Sequence, residues 1–490
     1  MIDTPSARAA RRAPRLQRGG VGGGAVIGHA ERLDAVGAVW FEWPVTTREV
    51  TDEDATGGPA RLGAFSITNF RLFRHERVEF HPEVTVFVGR NDVGKTSILE
   101  ALYLYGLMCQ RAGFRGPLSD EEFSGHDGHP TRFEAEWVVD GVAWAHTVVL
   151  DPTAPRETLT TPDHTWGWNP KTRELQYNGR VYLAKDIRRY HALAMVGARQ
   201  WALDTDVPQE VFGPLRVLQR FVTPVPFLFE PSALSARVPF SLTAPSRTGR
   251  AWVLWLQDII NRRDDDLVCV EAKLRALFPY FRSAYLREER VEVHRSVVDS
   301  TSPEPIMRQQ LGRSKGSVGR SGVRPLSELL VDIPVLESYR EVRVMVADGA
   351  EDEAPQHNVL ASQVSSGLLL ALAHLCHVYA APRGALLSIE EPENGLNPKI
   401  TFEMMGNYLD AVRARGQQLL LTTHNAWWLD VVPMESIRVV TRDADGGHVA
   451  SPRFDDLRAI ADAQGLYPSE IVSVHGPEGL LRLRDRRTVA

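Results

Sequence analysis

The sequence predicts an α/β fold: a mixed β-sheet with flanking helices, interrupted by an inserted, mainly helical lobe. A glycine-rich loop follows the β-branched run Val84–Val88 and precedes a helical pattern over residues 95–107. A second block of strand and helix patterns covers about 342–440. Mostly helical periodicity fills the stretch from about 185 to 286. We therefore expect one α/β domain whose two halves are far apart in the chain.

We divide the chain into four regions. Residues 1–62 are expected to be a disordered leader, because five arginines between Arg8 and Arg18 and the glycine-rich run 19–24 cannot build a core. A basic arm that touches nucleic acid is the alternative. The other three regions are the first half of the α/β domain with its antiparallel strands (63–183), the inserted lobe with an exposed basic loop at 307–325 (184–340), and the second half of the domain (341–490).

Composition and charge exclude several classes of protein. The 490 residues are 43% hydrophobic and 24% charged, which is the ordinary balance of a globular protein with about three domains. The formal net charge of −6 argues against a surface coated with charge that binds polyanions. No segment reaches the roughly 18 uncharged apolar residues of a membrane span, and the cysteines lie far apart. We expect a cytoplasmic protein with no membrane partner.

The glycine-rich loop matches G-x-x-x-x-G-K-[ST], a phosphate-binding pattern. Its glycines let backbone N–H groups turn towards phosphate oxygens, and the N-terminus of the following helix adds positive potential. Lys95 can reach the β- and γ-phosphates, and the Thr96 hydroxyl can bind Mg²⁺. A glycine-rich turn without a nucleotide is the alternative, which the flanking strand and helix patterns disfavour. The predicted nucleotide-binding residues are Gly89, Arg90, Asn91, Asp92, Val93, Gly94, Lys95, Thr96 and Ser97.

Two adjacent acids end the apolar strand pattern at 385–389. In a phosphate-loop ATPase the first acid, here Glu390, holds the Mg²⁺ shell, and the second, here Glu391, polarises the attacking water. The usual first acid is Asp, and the longer arm of Glu390 predicts slow hydrolysis. An acidic turn after a strand is the alternative, which the phosphate loop elsewhere in the chain disfavours.

Two further motifs gain meaning from their order along the chain. Ser365, Ser366 and Gly367 open an apolar helix pattern, and small hydroxyls at a helix N-terminus can bind an anion. The strand pattern at 418–423 is followed by His424. Alone, each motif is more simply explained as a serine helix cap or a structural histidine. Together the motifs form an ordered set of phosphate loop, serine-glycine helix start, acidic strand and histidine strand.

This ordered set resembles the ABC-class ATPase heads of the SMC, RecF and OLD-type families. The resemblance covers about 64–105 and 359–440. Besides the phosphate loop, it rests on Ile67-Thr68-Asn69-Phe70-Arg71, a signature motif at 364–367, a Walker B motif with D-loop at 389–398, and His424 as the switch histidine. Glu390 in place of Asp, Asn397 where relatives often carry His, and a signature other than LSGGQ depart from the family pattern.

The resemblance implies an ABC-type P-loop ATPase head that binds ATP and Mg²⁺. Two such heads pair head to tail, as a homodimer or within a higher oligomer, so that each ATP lies between one phosphate loop and the other head's signature serine. Carried over, Lys95 and Thr96 bind phosphate and Mg²⁺, and Glu391 is the general base. Ser366 contacts the γ-phosphate across the interface, and His424 senses it. The family's arginine near the nucleotide corresponds to Arg71.

Three functions are compatible with such a head. More chain separates Gly89 from Gly367 than in a transporter subunit, and too few residues follow His424 for the Toprim nuclease domain of OLD-type nucleases. The first hypothesis is an ATPase that senses or acts on DNA and controls a separately encoded nuclease or toxin, as in bacterial anti-phage systems. A RecF-like DNA repair ATPase is the near alternative. The third is a nucleotide-gated scaffold that assembles with a toxin or nuclease without touching DNA.

Other polar clusters give weaker signals. Asp443 and Asp445 fit an acidic hairpin turn better than a metal site. His126, Asp127 and His129 fit a polar loop with solvated histidines better than a set of metal ligands. DNA contact and a solvated linker explain the cations of the basic loop equally well. These cations are Arg308, Arg313, Lys315, Arg320 and Arg324.

Overall fold

The structure, a computed structural model, describes residues 60–110, 129–151, 156–169, 172, 174–183, 227–242, 245–262, 265–298, 330–349 and 354–482. No helix among these residues is long and apolar enough to cross a membrane. Most of the expected leader, the basic loop at 307–325, His126 and Asp127 lie outside the described residues. The leader's last residues, 60–62, belong to the first strand.

The elements are numbered along the chain. The strands are β1 (Ala60–Phe70), β2 (Phe73–Glu79), β3 (Val84–Val88), β4 (Thr131–Val139), β5 (Val142–Leu150), β6 (Arg156–Thr160), β7 (Thr165–Asn169), β8 (Glu174–Tyr177), β9 (Arg180–Leu183), β10 (Val238–Pro239), β11 (Phe281–Val298), β12 (Leu330–Ala347), β13 (Gln356–Leu360), β14 (Leu386–Glu390), β15 (Gln418–Thr423), β16 (Ile437–Arg442) and β17 (Gly447–Ala450). The α-helices are α1 (Lys95–Gln110), α2 (Pro231–Leu234), α3 (Val253–Arg262), α4 (Asp266–Leu277), α5 (Ser366–Ala380), α6 (Pro398–Ala414), α7 (Trp428–Val431), α8 (Phe454–Gln464), α9 (Pro468–His475) and α10 (Gly479–Arg482).

A five-stranded sheet in the order β14-β15-β3-β16-β17 carries the motifs. Its first four strands are parallel, and β17 pairs antiparallel with β16. Strands β3, β14 and β15 are buried along their whole length, as expected of parallel strands covered on both faces. The predicted joining of two distant chain segments in one α/β domain is therefore confirmed.

An eight-stranded antiparallel sheet in the order β2-β1-β4-β5-β6-β7-β8-β9 lies on the other side of α1. The dipeptides Asp140-Gly141 and Asn178-Gly179 predict tight hairpin turns, and both turns form, between β4 and β5 and between β8 and β9. Asp140 and Asn178 have φ values of 53° and 47°, in the left-handed region that type I′ turns require. Successive hairpins therefore build most of this sheet from neighbouring strands.

Helix α1 packs between the two sheets. Ile98 and Leu99 share one core cluster with Phe65 of the antiparallel sheet and Phe87 of the parallel sheet. The other face of the parallel sheet packs in a second cluster with α5, whose Leu368–Tyr379 stretch is buried. Because both faces of the parallel sheet are covered, its carboxyl edge is where polar side chains can meet a ligand.

Gln418, the first residue of β15, joins the two sheets. Its Oε1 accepts from the Leu62 N–H at 2.9 Å, and its Nε2 donates to the carbonyls of Leu62 at 2.9 Å and His81 at 3.0 Å. The side chain is buried. It thus satisfies backbone groups of β1 that the sheet ladder leaves without a partner at this point.

The expectation of a mainly helical inserted lobe needs correction for residues 281–298 and 330–347. Helices α2, α3 and α4 form, but β11 and β12 pair antiparallel along 18-residue strands. The β11 sequence combines four Arg and three Glu, which favour helix locally, with four Val, which favour strand. Cross-strand pairing with β12 decides between these preferences, because β-structure depends on partners distant in the chain.

The helix α5 contains two buried histidines that predict a pH-dependent stability. Burial lowers the pKa of His374 and of His377 to about 3, below the ordinary value of about 6.5 for an unfolded histidine. As pH falls below about 6.5, the unfolded chain binds two protons that the folded chain does not. The free energy of unfolding should therefore fall, with these two groups contributing up to about 2.7 kcal/mol per pH unit until pH approaches 3.

This pH dependence can be measured by urea denaturation at pH 7, 6 and 5. The His374→Phe variant removes one of the two titrating groups, so its slope should be shallower than that of the wild type by up to about 1.4 kcal/mol per pH unit. Equal slopes for variant and wild type would show that His374 does not titrate as its burial implies.

Candidate nucleotide site

The phosphate loop lies between β3 and α1, as predicted. A Cβ at Gly89 would come within 2.4 Å of the Val440 carbonyl oxygen, and Gly94 has φ +110°. Both positions therefore require glycine. The Lys95 Nζ donates to the carbonyls of Gly89 at 2.9 Å and Arg90 at 2.8 Å. Burial lowers the pKa of Lys95, and nearby carboxylates, first that of Glu391, oppose the shift.

Thr96 and Glu390 meet across the sheet edge. The Thr96 Oγ1 donates to Glu390 Oε2 at 3.1 Å, although the two residues are 294 positions apart. Burial raises the pKa of Glu390, and Arg247 and Thr96 oppose that shift. A hydroxyl and a carboxylate oxygen are the hard ligands that Mg²⁺ prefers, so the donor set fits a magnesium ion. Together with the glycine cradle, it fits a nucleotide phosphate with its metal.

Glu391 and His424 form the second pair at this edge. The His424 Nε2 lies 3.0 Å from Glu391 Oε1, and both side chains are partly exposed. Glu391 has φ 43°, a left-handed conformation that is costly for a residue with a Cβ. Its N–H donates to the Thr422 carbonyl at 2.9 Å, which holds this turn against β15. The strained turn places Glu391 close enough to Lys95 for its charge to raise the Lys95 pKa.

Glu393 fixes the segment 423–428, which begins at the end of β15 and contains His424, and which we call the histidine loop. The sequence prediction named no residue for this role. Its Oε1 accepts from Thr423 Oγ1 at 2.6 Å and from the N–H groups of His424 at 3.1 Å and Asn425 at 3.2 Å. Its Oε2 accepts from Trp428 Nε1 at 3.1 Å. One carboxylate after β14 thus fixes the chain that follows β15. The sequence signal that could have identified Glu393 is the motif Glu391-Pro392-Glu393 directly after β14.

Arg247 was also missed by sequence reasoning. Its guanidinium pairs with Glu390 Oε1 and donates to Glu100 Oε1 at 2.7 Å. Glu100, on α1, also pairs with Arg71, so this predicted arginine is connected to the Glu390 carboxylate through Glu100 and Arg247. Arg247 belongs to the insertion and to no motif, so no local pattern marks it.

The signature residues lie apart from the phosphate loop. Ser365 caps α5 by accepting from the Leu368 N–H at 3.3 Å, and both Ser365 and Ser366 are exposed. A Cβ at Gly367 would be 3.6 Å from Leu396 in the D-loop. Among the hydrogen bonds of the described residues, none joins the signature to the loop at 89–96. The structure therefore brings Lys95, Thr96, Glu390, Glu391 and His424 together and leaves the signature on a separate exposed surface.

The weaker polar clusters form no metal site within the described part of the chain. Asp443 Oδ1 accepts from the N–H groups of Asp445 at 2.8 Å and Gly446 at 3.2 Å. These bonds build the hairpin between β16 and β17, which confirms the predicted acidic turn. Asn397 is the N-cap of α6, because its side chain accepts from the Ile400 N–H at 3.0 Å. Asn397, at the position where relatives often carry His, therefore has a structural role as a helix cap.

Two segments of the chain match known protein families. Residues 61–106 match the family described as "AAA ATPase domain". Residues 334–426 match the family described as "AAA domain, putative AbiEii toxin, Type IV TA system". The first segment contains the phosphate loop, and the second contains Glu390, Glu391 and His424. The chain carries a P-loop ATPase domain in two halves.

The ATPase domain is similar to curated proteins over short segments. The DNA replication and repair protein RecF of Lactococcus lactis subsp. lactis is 40% identical over 47 residues, which are 10% of this chain and 13% of that protein. RecF of Lactobacillus acidophilus is 36% identical over 70 residues, which are 14% of this chain and 18% of that protein. These matches span less than a fifth of the RecF proteins, so they support the ATPase domain and not the whole protein's activity.

Solved SMC heads align with the chain at low similarity. The SMC head domain from Thermotoga maritima has a TM-score of 0.36 and 12% identity, over 80% of this chain and 98% of that chain. The Smc head domain bound to the C-terminal domain of ScpA, derived from Pyrococcus furiosus, has a TM-score of 0.38 and 11% identity, over 82% and 99%. These alignments carry no argument about the chain, and the ATPase domain is recognised by its sheets and motifs.

The contacts of Glu393 predict that it immobilises the histidine loop. In Glu393→Ala, the N–H group of His424 loses its acceptor, whereas that of Asn425 keeps Thr423 Oγ1 at 2.9 Å, so the amide hydrogen exchange of His424 should become about tenfold faster or more. Hydrogen exchange followed by NMR or mass spectrometry measures this change. Glu403→Ala, at an exposed position of α6, is the matched control and should leave exchange at 423–428 unchanged. Equal exchange in both variants would contradict the role of Glu393.

Proposed function

We propose that the protein binds ATP with Mg²⁺ and hydrolyses it at the carboxyl edge of the parallel sheet. One observation carries this proposal: two adjacent acids beside Lys95 have different partners. Glu390 is bonded to the Thr96 hydroxyl, and Glu391 is paired with His424. Two carboxylates held in different surroundings can take different roles, one towards a metal and one towards a proton.

In this mechanism Lys95 would exchange its two loop carbonyls for phosphate oxygens, and Thr96 and Glu390 would hold Mg²⁺. When bound, Mg²⁺ neutralises charge that develops on the phosphate oxygens. Glu391 takes a proton from the attacking water, and His424 orients its carboxylate. The longer arm of Glu390, where Asp is usual, makes turnover slow.

We further propose that two heads pair head to tail and that their ATP state controls a separately encoded nuclease or toxin in the cytoplasm, in bacterial anti-phage defence. The exposed Ser366 supports pairing, because it lies on the surface beside the Ser365 helix cap and apart from its own phosphate loop. The AbiEii toxin description of the second family and the RecF relatives favour such a partner and DNA as the signal. Nucleotide can drive pairing only through its higher affinity for the paired form.

Two alternatives remain distinct from this proposal. A RecF-like DNA repair ATPase would act on DNA without a toxin or nuclease partner. A nucleotide-gated scaffold would assemble with such a partner and never touch DNA. The five cations at 307–325 belong to the segment that connects β11 to β12, and neutralising them separates DNA contact from the scaffold.

ATP turnover with and without double-stranded DNA tests the proposal. We expect DNA to raise turnover several-fold, and Glu391→Gln to lower it by about 10² to 10⁴ while ATP binding persists, because only the general base is lost. Lys95→Ala should lose ATP binding, and the exposed Glu403→Gln should match the wild type. Turnover that survives in Glu391→Gln would contradict its role as base, and slow turnover indifferent to DNA would favour the scaffold.

The salt dependence of DNA binding separates a DNA-binding ATPase from the scaffold. If the basic loop contacts phosphates, log K for the wild type should fall steeply with log salt, and neutralising its five cations should remove up to about 4.5 units of that slope. Fluorescence anisotropy with a labelled duplex measures both slopes. A matched variant with five neutralised arginines elsewhere on the surface is the control, and equal slopes in all three proteins would exclude the loop as a DNA contact.

A further inference from the structure

Arg247 links the inserted region to the nucleotide site. Its Nη2 pairs with Glu390 Oε1, and its Nη1 donates to Glu100 Oε1 at 2.7 Å. The other oxygen of Glu390, Oε2, accepts from the Thr96 hydroxyl at 3.1 Å. The carboxylate expected to hold a divalent cation is therefore already paired with a cation of the chain itself.

Glu100 and Glu390 differ in whether they have a second cation besides Arg247. Glu100 also pairs with Arg71 and would keep a cation if Arg247 moved away. Within the described part of the chain, Arg247 is the one cation in an ion pair with Glu390. The Glu390 side chain is only 7% exposed, so leaving its charge without a partner would be costly. The Arg247 side chain is 40% exposed and can turn towards solvent.

The backbone around Arg247 is anchored to the same strand. The Arg247 carbonyl accepts from the Leu228 N–H at 2.9 Å. The neighbouring Phe227 donates to the Ser388 carbonyl at 3.3 Å and accepts from the Glu390 N–H at 2.8 Å. The guanidinium is thus presented from a segment bonded to β14, close to the carboxylate, rather than from an unattached loop.

We propose that Arg247 is the resident counter-ion of Glu390 and that a divalent cation entering the site must displace it. The inference rests on the proposed metal and nucleotide binding. A guanidinium at Oε1 and a divalent cation held at Oε2 beside Thr96 would share one carboxylate and repel each other, and the repulsion is strong where water is largely excluded. Arg247 therefore stabilises the metal-free site and weakens its affinity for metal, so that the insertion takes part in every metal-loading event.

Titration of the full-length protein with Mn²⁺ alone tests this exchange. Free Mn²⁺ is followed by electron paramagnetic resonance. Arg247→Gln removes the competing cation, so we expect it to bind Mn²⁺ about tenfold more tightly than the wild type. Arg247→Lys keeps a cation and should stay close to the wild type. Arg250→Gln, at an exposed position three residues further along, is the matched control and should leave Mn²⁺ affinity unchanged.

The outcomes separate this proposal from the proposed function. Unchanged or weaker Mn²⁺ binding by a folded Arg247→Gln protein would overturn the counter-ion role. A tenfold gain that also persists in a Glu390→Gln background would overturn it too, because the gain must come through that carboxylate. Binding of a fluorescent ATP analogue with Mg²⁺ is measured in parallel. If the wild type binds no nucleotide while Arg247→Gln still gains Mn²⁺ affinity, the proposed ATPase fails and the counter-ion role stands.

Discussion

The parallel pairing of β14, β15 and β3 determines where every charged group of the site lies. Glu390 is in register with Thr422, and Thr423 is in register with Val88, the residue before the phosphate loop. The carboxyl ends of three strands therefore meet at one edge, and Thr96 comes within hydrogen-bond distance of Glu390. A slip of β15 by one residue would turn its side chains to the opposite face and would break the contacts made there.

Charges concentrated at this edge are held by specific partners. Lys95 is buried against two loop carbonyls, and Glu390 is buried against a hydroxyl and Arg247. Each arrangement satisfies a group that would be expensive to bury alone. The same partners are what a nucleotide and its metal would have to replace. Side chains from both halves of the domain and from the insertion therefore neutralise one another at this edge.

Two hydrophobic cores support the edge from opposite sides of the parallel sheet. One packs α1 and the antiparallel sheet against it, and the other packs α5. The helix that begins at the phosphate loop and the helix that begins at the signature are therefore fixed by different cores. Gln418 ties the parallel sheet to β1 by hydrogen bonds rather than by apolar contact. Close packing on both faces leaves the strand ends as the place for chemistry.

Local chemistry made much of this protein predictable from its sequence alone. The phosphate loop, the acids after β14, His424 after β15 and the Asp140 and Asn178 turns depend on residues adjacent in the chain, and the structure has each at its predicted place. Tertiary structure alone decided that β11 and β12 pair along 18 residues, because the local preference of β11 is mixed and strand pairing depends on a distant partner. It alone also placed Arg247 on Glu390, because a contact between residues 143 positions apart leaves no periodic trace in the sequence.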